Sequence, residues 1–290
     1  MKTTRTITHI WQSQPTIEGA GVHLKRAFGY SQVPQLDPFL MLDDFHSQHP
    51  ADYLAGFPWH PHRGIETVTY MLRGEVEHGD SLGNRGVIGS GDVQWMTAGS
   101  GIIHQEMPQK TEGDFQGVQL WVNLPASHKM MPPRYRDVST SQIPEITLES
   151  GVRIKIISGN IGETVGPVQD IVVPIHFLDV LVPAQTTFIH PVNAEDTVFV
   201  YVLESQGNFA PERSELIPAE RLILFAKGDQ IHVSTHTDPV HFLLLCGKPL
   251  GEPVAWRGPI VMNTTEELAT AFREYHEGTF IKHGEQIRKM

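Results

Sequence analysis

The sequence is short of the residues that would cross-link it or carry it through a membrane. Its single cysteine, Cys246, cannot form a disulfide within the chain, whereas secreted domains rich in turn residues are commonly stapled by several. A reducing, cytoplasmic setting is therefore expected. No run approaches the roughly 18 apolar residues of a spanning helix. The opening residues, MKTTRTITHIWQSQ, lack the apolar centre of an export signal, so no membrane association is expected. Basic residues are also scarce: 22 Lys and Arg stand against 33 Asp and Glu, a formal net charge of −11. That balance opposes the counterion release that draws proteins onto phosphate backbones, so direct nucleic-acid binding is not expected, while a protein partner stays compatible. A glycine-rich phosphate loop and a nucleophile elbow are both missing.

Turn residues and imidazoles are abundant instead. Among 290 residues are 26 Gly, 21 Pro and 16 His, and a chain of this length is comfortable as two domains of about 100 to 150 residues each. Between the glycines and prolines lie short runs rich in Val, Ile, Thr and aromatic residues. They include Glu66 to Leu72, Asp92 to Met96, Gly117 to Leu124, Val152 to Ser158, Ile171 to Val182, Thr197 to Leu203, Arg221 to Phe225, Gln230 to Ser234 and His241 to Cys246. Short strands with no helical pattern between them predict an all-β fold of sandwiches or closed barrels. One helix is expected, at the C-terminal end. Thr264 and Glu267 fit a capping box, and Leu268, Ala271, Phe272 and Tyr275 keep helical spacing up to Gly278.

A faint internal echo divides the chain. A strand ending at Met71 is followed by Gly74 and then by Gly91-Asp92 before the next strand. A strand ending near Leu203 is followed by Gly207 and then by Gly228-Asp229. The stretch Pro132 to Pro144, with three prolines, is expected to be a linker, giving an N-terminal domain over 1–135 and a C-terminal domain over 136–290.

Two histidine-bearing motifs carry the chemistry. His60-Pro61-His62 places two imidazoles at i and i+2, so in an extended segment they share a face. His104-Gln105-Glu106, behind Gly99-Ser100-Gly101, supplies a second pair with the same property. On adjoining strands the two pairs would bring three nitrogens and a carboxylate oxygen around one ion and leave positions open for exchange or chemistry. Glu66 has the strand parity of His60 and His62, so it stands as an alternative ligand, a supporting residue or part of the core. Phe57, Trp59, Trp95 and Met96 flank the motifs as candidate pocket lining or as core. Arg63 is read as orienting Glu66 or an anion, or as a surface ion pair. Cys246 lies in the most apolar run, where a thiol acts as a small hydrophobe. In the second half, His190-Pro191 has no following histidine, and His232, His236 and His241 form no i, i+2 pair, so no metal is expected there.

The segment from Gly56 to Met107 resembles the signature region of the pirin family, within the cupin superfamily. Further similar stretches are Leu36-Asp37-Pro38-Phe39-Leu40, Gln119-Leu120-Trp121-Val122-Asn123-Leu124 and Gly258-Pro259-Ile260-Val261-Met262-Asn263-Thr264. The resemblance implies two tandem cupin β-barrels, the first holding one mononuclear metal and the second degenerate. The metal is usually Fe(II), with other divalent transition metals possible, and the matched ligands are His60, His62, His104 and Glu106. In the wider cupin pattern the carboxylate ligand stands where Glu66 stands here. The resemblance further implies a quercetin 2,3-dioxygenase-type activity on a small aromatic substrate such as a flavonol, with Glu106 catalytic as acceptor of the substrate's proton. The other function it implies is a non-enzymatic, redox-responsive regulator that binds a transcription factor or a metabolic enzyme. A purely structural zinc is disfavoured, because such sites are usually closed and rich in thiolate.

Overall fold

In the computed structural model of the protein, which describes residues 2–211 and 215–284, strands dominate. The first twelve are β1 (Ile7–Gln12), β2 (Gln14–Glu18), β3 (Val22–Phe28), β4 (Phe39–Ser47), β5 (Phe57–His62), β6 (Ile65–Arg73), β7 (Val76–Asp80), β8 (Arg85–Ile88), β9 (Val93–Thr97), β10 (Ile102–Pro108), β11 (Phe115–Asn123) and β12 (Arg134–Val138). The chain gathers into two compact units. One comprises residues 15–33, 39–140 and those from 250 on; the other comprises residues up to 14, 34–38 and 141–249. These units are not the contiguous stretches 1–135 and 136–290, because strand pairing draws short distant segments into each. Thus β1 joins the second unit by antiparallel pairing with Arg221–Phe225, and in the first unit Ile260 bridges to Arg63.

The first unit is built on a seven-stranded sheet in the order β12-β9-β6-β11-β4-β3-β2 and a four-stranded sheet in the order β5-β10-β7-β8. Their inner faces meet, with Thr69 on β6 and Gln119 on β11 reaching Glu106 on β10. Register explains the character of the interior. On the large sheet Met41, Trp121, Thr67 and Met96 stand in one cross-strand row, and Asp43, Gln119, Thr69 and Gln94 stand in the next. Since alternate residues of a strand share a face, both rows point the same way, one mostly apolar and one polar. The proline-bearing stretch expected as a linker instead contains β12, paired with β9. Its prolines flank the strand, and β12 lies at a sheet edge, where the missing N–H groups of neighbouring prolines interrupt no ladder. Pro61 is tolerated on the same ground, since β5 is also an edge strand.

The second unit has a sheet in which β1 is followed by Arg221–Phe225, Thr197–Gly207, Val240–Gly247, Ile175–Val182, Arg153–Ser158 and Glu145–Thr147. Its interior is filled by Ile154, Leu178, Val180, Val200, Phe242 and Leu244, all essentially inaccessible. Cys246 belongs to this core, and burial pushes its thiol pKa up to about 12, in keeping with a hydrophobic role. His190 is buried beside Phe188, their rings stacked 5.7 Å apart.

The helix Thr265–Glu277 closes the first unit. The Thr264 hydroxyl accepts from the Glu267 amide at 3.2 Å, and the Glu267 carboxylate accepts from the Thr264 amide at 3.1 Å, completing the capping box. Gly278 ends the helix with φ 73°. Ala271 packs with Ile260, Met262 and Phe280, and Leu268, Phe272 and Tyr275 pack around them. Among the described residues no helix is long and apolar enough to cross a membrane.

Candidate metal centre

The motif pairs meet because β5 and β10 are antiparallel neighbours in which His104 lies opposite His60. The register shifts between His104 and Glu106, where Phe57 takes the position facing Glu106, and such a bulge re-aims side chains beside a site. The ligand atoms of His60, His62 and His104 all lie within 4.8 Å of one another. Ring separations of 4.4 Å (His60 to His104), 4.8 Å (His60 to His62) and 4.9 Å (His62 to His104) describe a compact triangle.

The proton positions follow from the outer partners. His60 Nδ1 lies 2.9 Å from the Pro58 carbonyl oxygen, and His62 Nδ1 lies 3.1 Å from that of Pro259. A carbonyl only accepts, so each Nδ1 carries the proton and each neutral ring presents a bare Nε2. Yet the two Nε2 atoms are 3.0 Å apart, and His104 Nε2 is buried without a hydrogen-bond partner. Protonation offers poor relief. Burial, the first cause, and repulsion between neighbouring rings hold His62 and His104 well below the ordinary imidazole pKa. Burial also lowers His60, against the opposing charge of Glu106. Three rings whose ligand atoms converge are the donor set that a borderline divalent cation requires, and the second-sphere carbonyls fix the tautomers of His60 and His62. The residues present therefore fit a metal ion.

Glu106 lies outside this three-residue group. Gln119 Nε2 donates to both of its carboxylate oxygens at 3.0 Å, and Thr69 Oγ1 donates to one at 2.9 Å. Glu66 is spoken for elsewhere: its carboxylate accepts from Thr97 Oγ1 at 2.7 Å and from Trp95 Nε1 at 3.2 Å, and burial raises its pKa. Arg63 is neither at the surface nor bound to Glu66. It is buried, pairs with Glu274 at 2.8 Å, donates to the Phe280 carbonyl at 2.9 Å and lies 4.2 Å from the Phe280 ring centroid. Gly64, at φ 78°, lies so close to the Val261 carbonyl that a Cβ could not be placed there. Buried Lys129 binds the carbonyls of Gly64 and Val261 as well as Asn123. The turn after His62 is thereby fixed from several sides.

His60 and His62 open into a cavity of about 640 Å³ whose lining also includes Phe57, Trp121, Trp256 and Tyr30. Among the four flanking residues considered from sequence, only Phe57 is part of that lining; Trp95 and Met96 are buried in the body of the unit and Trp59 is 38% exposed. The sequence alone does not single out Gln119, Thr69, Trp121, Trp256 or Tyr30 as site residues. Gln119 and Trp121 did sit in a recognisable motif, and their i, i+2 spacing was the available signal. Nothing local placed Tyr30 or Trp256 beside them.

Comparison with known proteins agrees with this architecture. The pirin family profile matches residues 21–122 and the profile of the pirin C-terminal cupin domain matches residues 177–281. A pirin-like protein of Caulobacter vibrioides is 44% identical over 277 residues, covering 95% of this chain and 99% of the relative. Among solved structures, quercetin 2,3-dioxygenase from Acinetobacter baumannii superposes with a TM-score of 0.89 at 33% identity, over 96% of this chain and 99% of that one. A bacterial pirin from Escherichia coli in complex with nickel(II) shares the fold, with a TM-score of 0.63 at 19% identity over 83% of this chain and 99% of that one. With its two cupin domains and one C-terminal helix, the chain belongs to the pirin family.

Proposed function

We propose that His60, His62, His104 and Glu106 hold a single iron(II) ion and that the protein is a quercetin 2,3-dioxygenase-type enzyme, opening a flavonol ring with dioxygen. The observation that carries this reading is the convergence of the His60, His62 and His104 ligand atoms within 4.8 Å of one another, with His60 and His62 lining a cavity large enough for a small aromatic molecule. The activity named for the Acinetobacter baumannii relative supports the same reading. When bound, iron(II) supplies Lewis acidity toward an enolate oxygen and an electron route to dioxygen.

The protein's own residues supply the rest. The Pro58 and Pro259 carbonyls keep His60 and His62 oriented. Gln119 and Thr69 aim the Glu106 carboxylate, which takes the proton from the flavonol 3-hydroxyl and so generates the enolate. The indole N–H of Trp121 donates to Gln119 at 3.3 Å, which orients the amide so that its NH₂ faces Glu106. The overall reaction inserts both atoms of dioxygen into the flavonol and releases carbon monoxide. Oxygen uptake with quercetin, with matching carbon monoxide release, is expected from iron-loaded protein and should disappear in His60→Ala and after chelation. Undiminished uptake under either condition would remove the metal from the reaction.

A further inference from the structure

The cavity has two unlike walls, and both follow from strand register. Met41 faces Trp121 and Asp43 faces Gln119 across β4 and β11, so neighbouring rows of one sheet face form an apolar lane beside a polar one. The apolar lane continues as a succession of rings. Trp121 lies 5.0 Å from His62 and 5.8 Å from Trp256, and Trp256 lies 5.7 Å from Tyr30, which is 69% exposed. The polar lane ends at Arg26, which donates to both oxygens of Asp43 at 2.8 Å and pairs with Glu18 at 3.0 Å. All three of these charged residues line the cavity. One cation between two carboxylates leaves the group net negative, and carboxylate oxygens only accept hydrogen bonds.

We propose that these paired lanes select uncharged planar aromatic molecules bearing hydroxyl donors, and that Glu18 and Asp43 are the specificity determinants that turn away aromatic acids of the same shape. The inference rests on the reading of this cavity as the flavonol site. Planar rings gain contact along Trp121, Trp256 and Tyr30 whatever their substituents. A phenolic hydroxyl donates to a lone pair of Asp43 or Glu18. A ligand carboxylate meets two like charges instead, with the guanidinium between them already engaged by both, and like-charge juxtaposition is a strong means of rejection.

Anaerobic calorimetry on the metal-loaded full chain tests this without turnover. The probes are quercetin, a flavonol with an unsubstituted phenyl ring, and the analogue carrying a carboxylate on that ring. The wild-type protein should bind quercetin about tenfold tighter than the phenyl compound and about a hundredfold tighter than the acid. Glu18→Gln should narrow the gap between quercetin and the acid about tenfold. Tyr30→Ala should weaken all three ligands by about fivefold without changing their order. Both positions are well exposed, and unchanged melting temperatures would establish that the variants fold. An acid bound as tightly as quercetin, or a preference unmoved by Glu18→Gln, would overturn the proposal. Oxygen uptake by the same preparations separates the two readings. Selective binding without uptake rejects the dioxygenase and leaves the selectivity standing; uptake with indiscriminate binding rejects the selectivity alone.

Discussion

Gln119→Leu removes the amide that holds Glu106 while keeping similar bulk on the inner face of β11. The wild-type amide donates to both oxygens of Glu106 at 3.0 Å, and Thr69 supplies the remaining donor at 2.9 Å. Hydrogen bonds to a charged group contribute about 1.5 to 3 kcal/mol. Here a single amide serves both oxygens, so the loss is taken as one such interaction. With about 1.4 kcal/mol per decade, metal affinity should fall roughly tenfold to a hundredfold, the range found when second-sphere partners are removed elsewhere. The fold should survive, because the surrounding strands keep their pairing and Trp121, 8% exposed, sits against the cavity. Nickel(II), which is redox-inert under these conditions, provides the assay: metal-free wild-type and variant proteins are titrated in competition with a chromophoric chelator. An affinity within twofold of wild type, with an unchanged melting temperature, would refute the assignment of Gln119 as the residue that aims Glu106.

Three further expectations follow from buried groups. His190 has its pKa lowered to about 4, first by burial and then by the charge of His176, whereas in the unfolded chain it titrates near 6.5. The unfolded state therefore binds the proton more readily, and stability is expected to fall as pH drops from about 6.5 to about 4, by about 3 kcal/mol at most. Urea unfolding at several pH values should show a shallower acid loss in His190→Gln, and parallel curves would contradict the assignment. Glu66→Gln should leave nickel affinity within about twofold, since that carboxylate is bound to Thr97 and Trp95; loss beyond tenfold would make Glu66 a ligand after all. Arg63→Met removes a buried charge and leaves Glu274 to Lys282 alone. It should lower stability by about 3 kcal/mol, read by thermal unfolding, and an unchanged transition would show the pair to be dispensable.

The parts of the fold that were legible are those encoded by local pattern. The β-rich runs at Arg221–Phe225 and Gln230–Ser234 appear as strands over the same residues. The helix starts at its expected cap because Thr264 and Glu267 bond each other's backbone. The i, i+2 spacing of His60 and His62 was sufficient to put both imidazoles on one side of a strand. What stayed illegible depends on which strands become neighbours. The position of Trp95 near the motifs leaves pocket lining and core both open, and only its parity on β9 decides, directing the indole to Glu66 while its neighbour Met96 enters the core. Trp256 and Tyr30 are more than 200 residues apart in sequence and touch only because the C-terminal segment returns to the first unit. Arg63 looked like a surface cation because its partners, Glu274 and Phe280, are equally remote.

Metal stoichiometry tests the central claim most directly. Protein stripped, reloaded with one divalent metal and freed of excess should hold one equivalent per chain by elemental analysis, and His62→Ala and His104→Ala should each retain less than about a tenth of it while keeping a wild-type circular dichroism spectrum. A full equivalent retained by either variant would contradict the placement of the ion among these three rings.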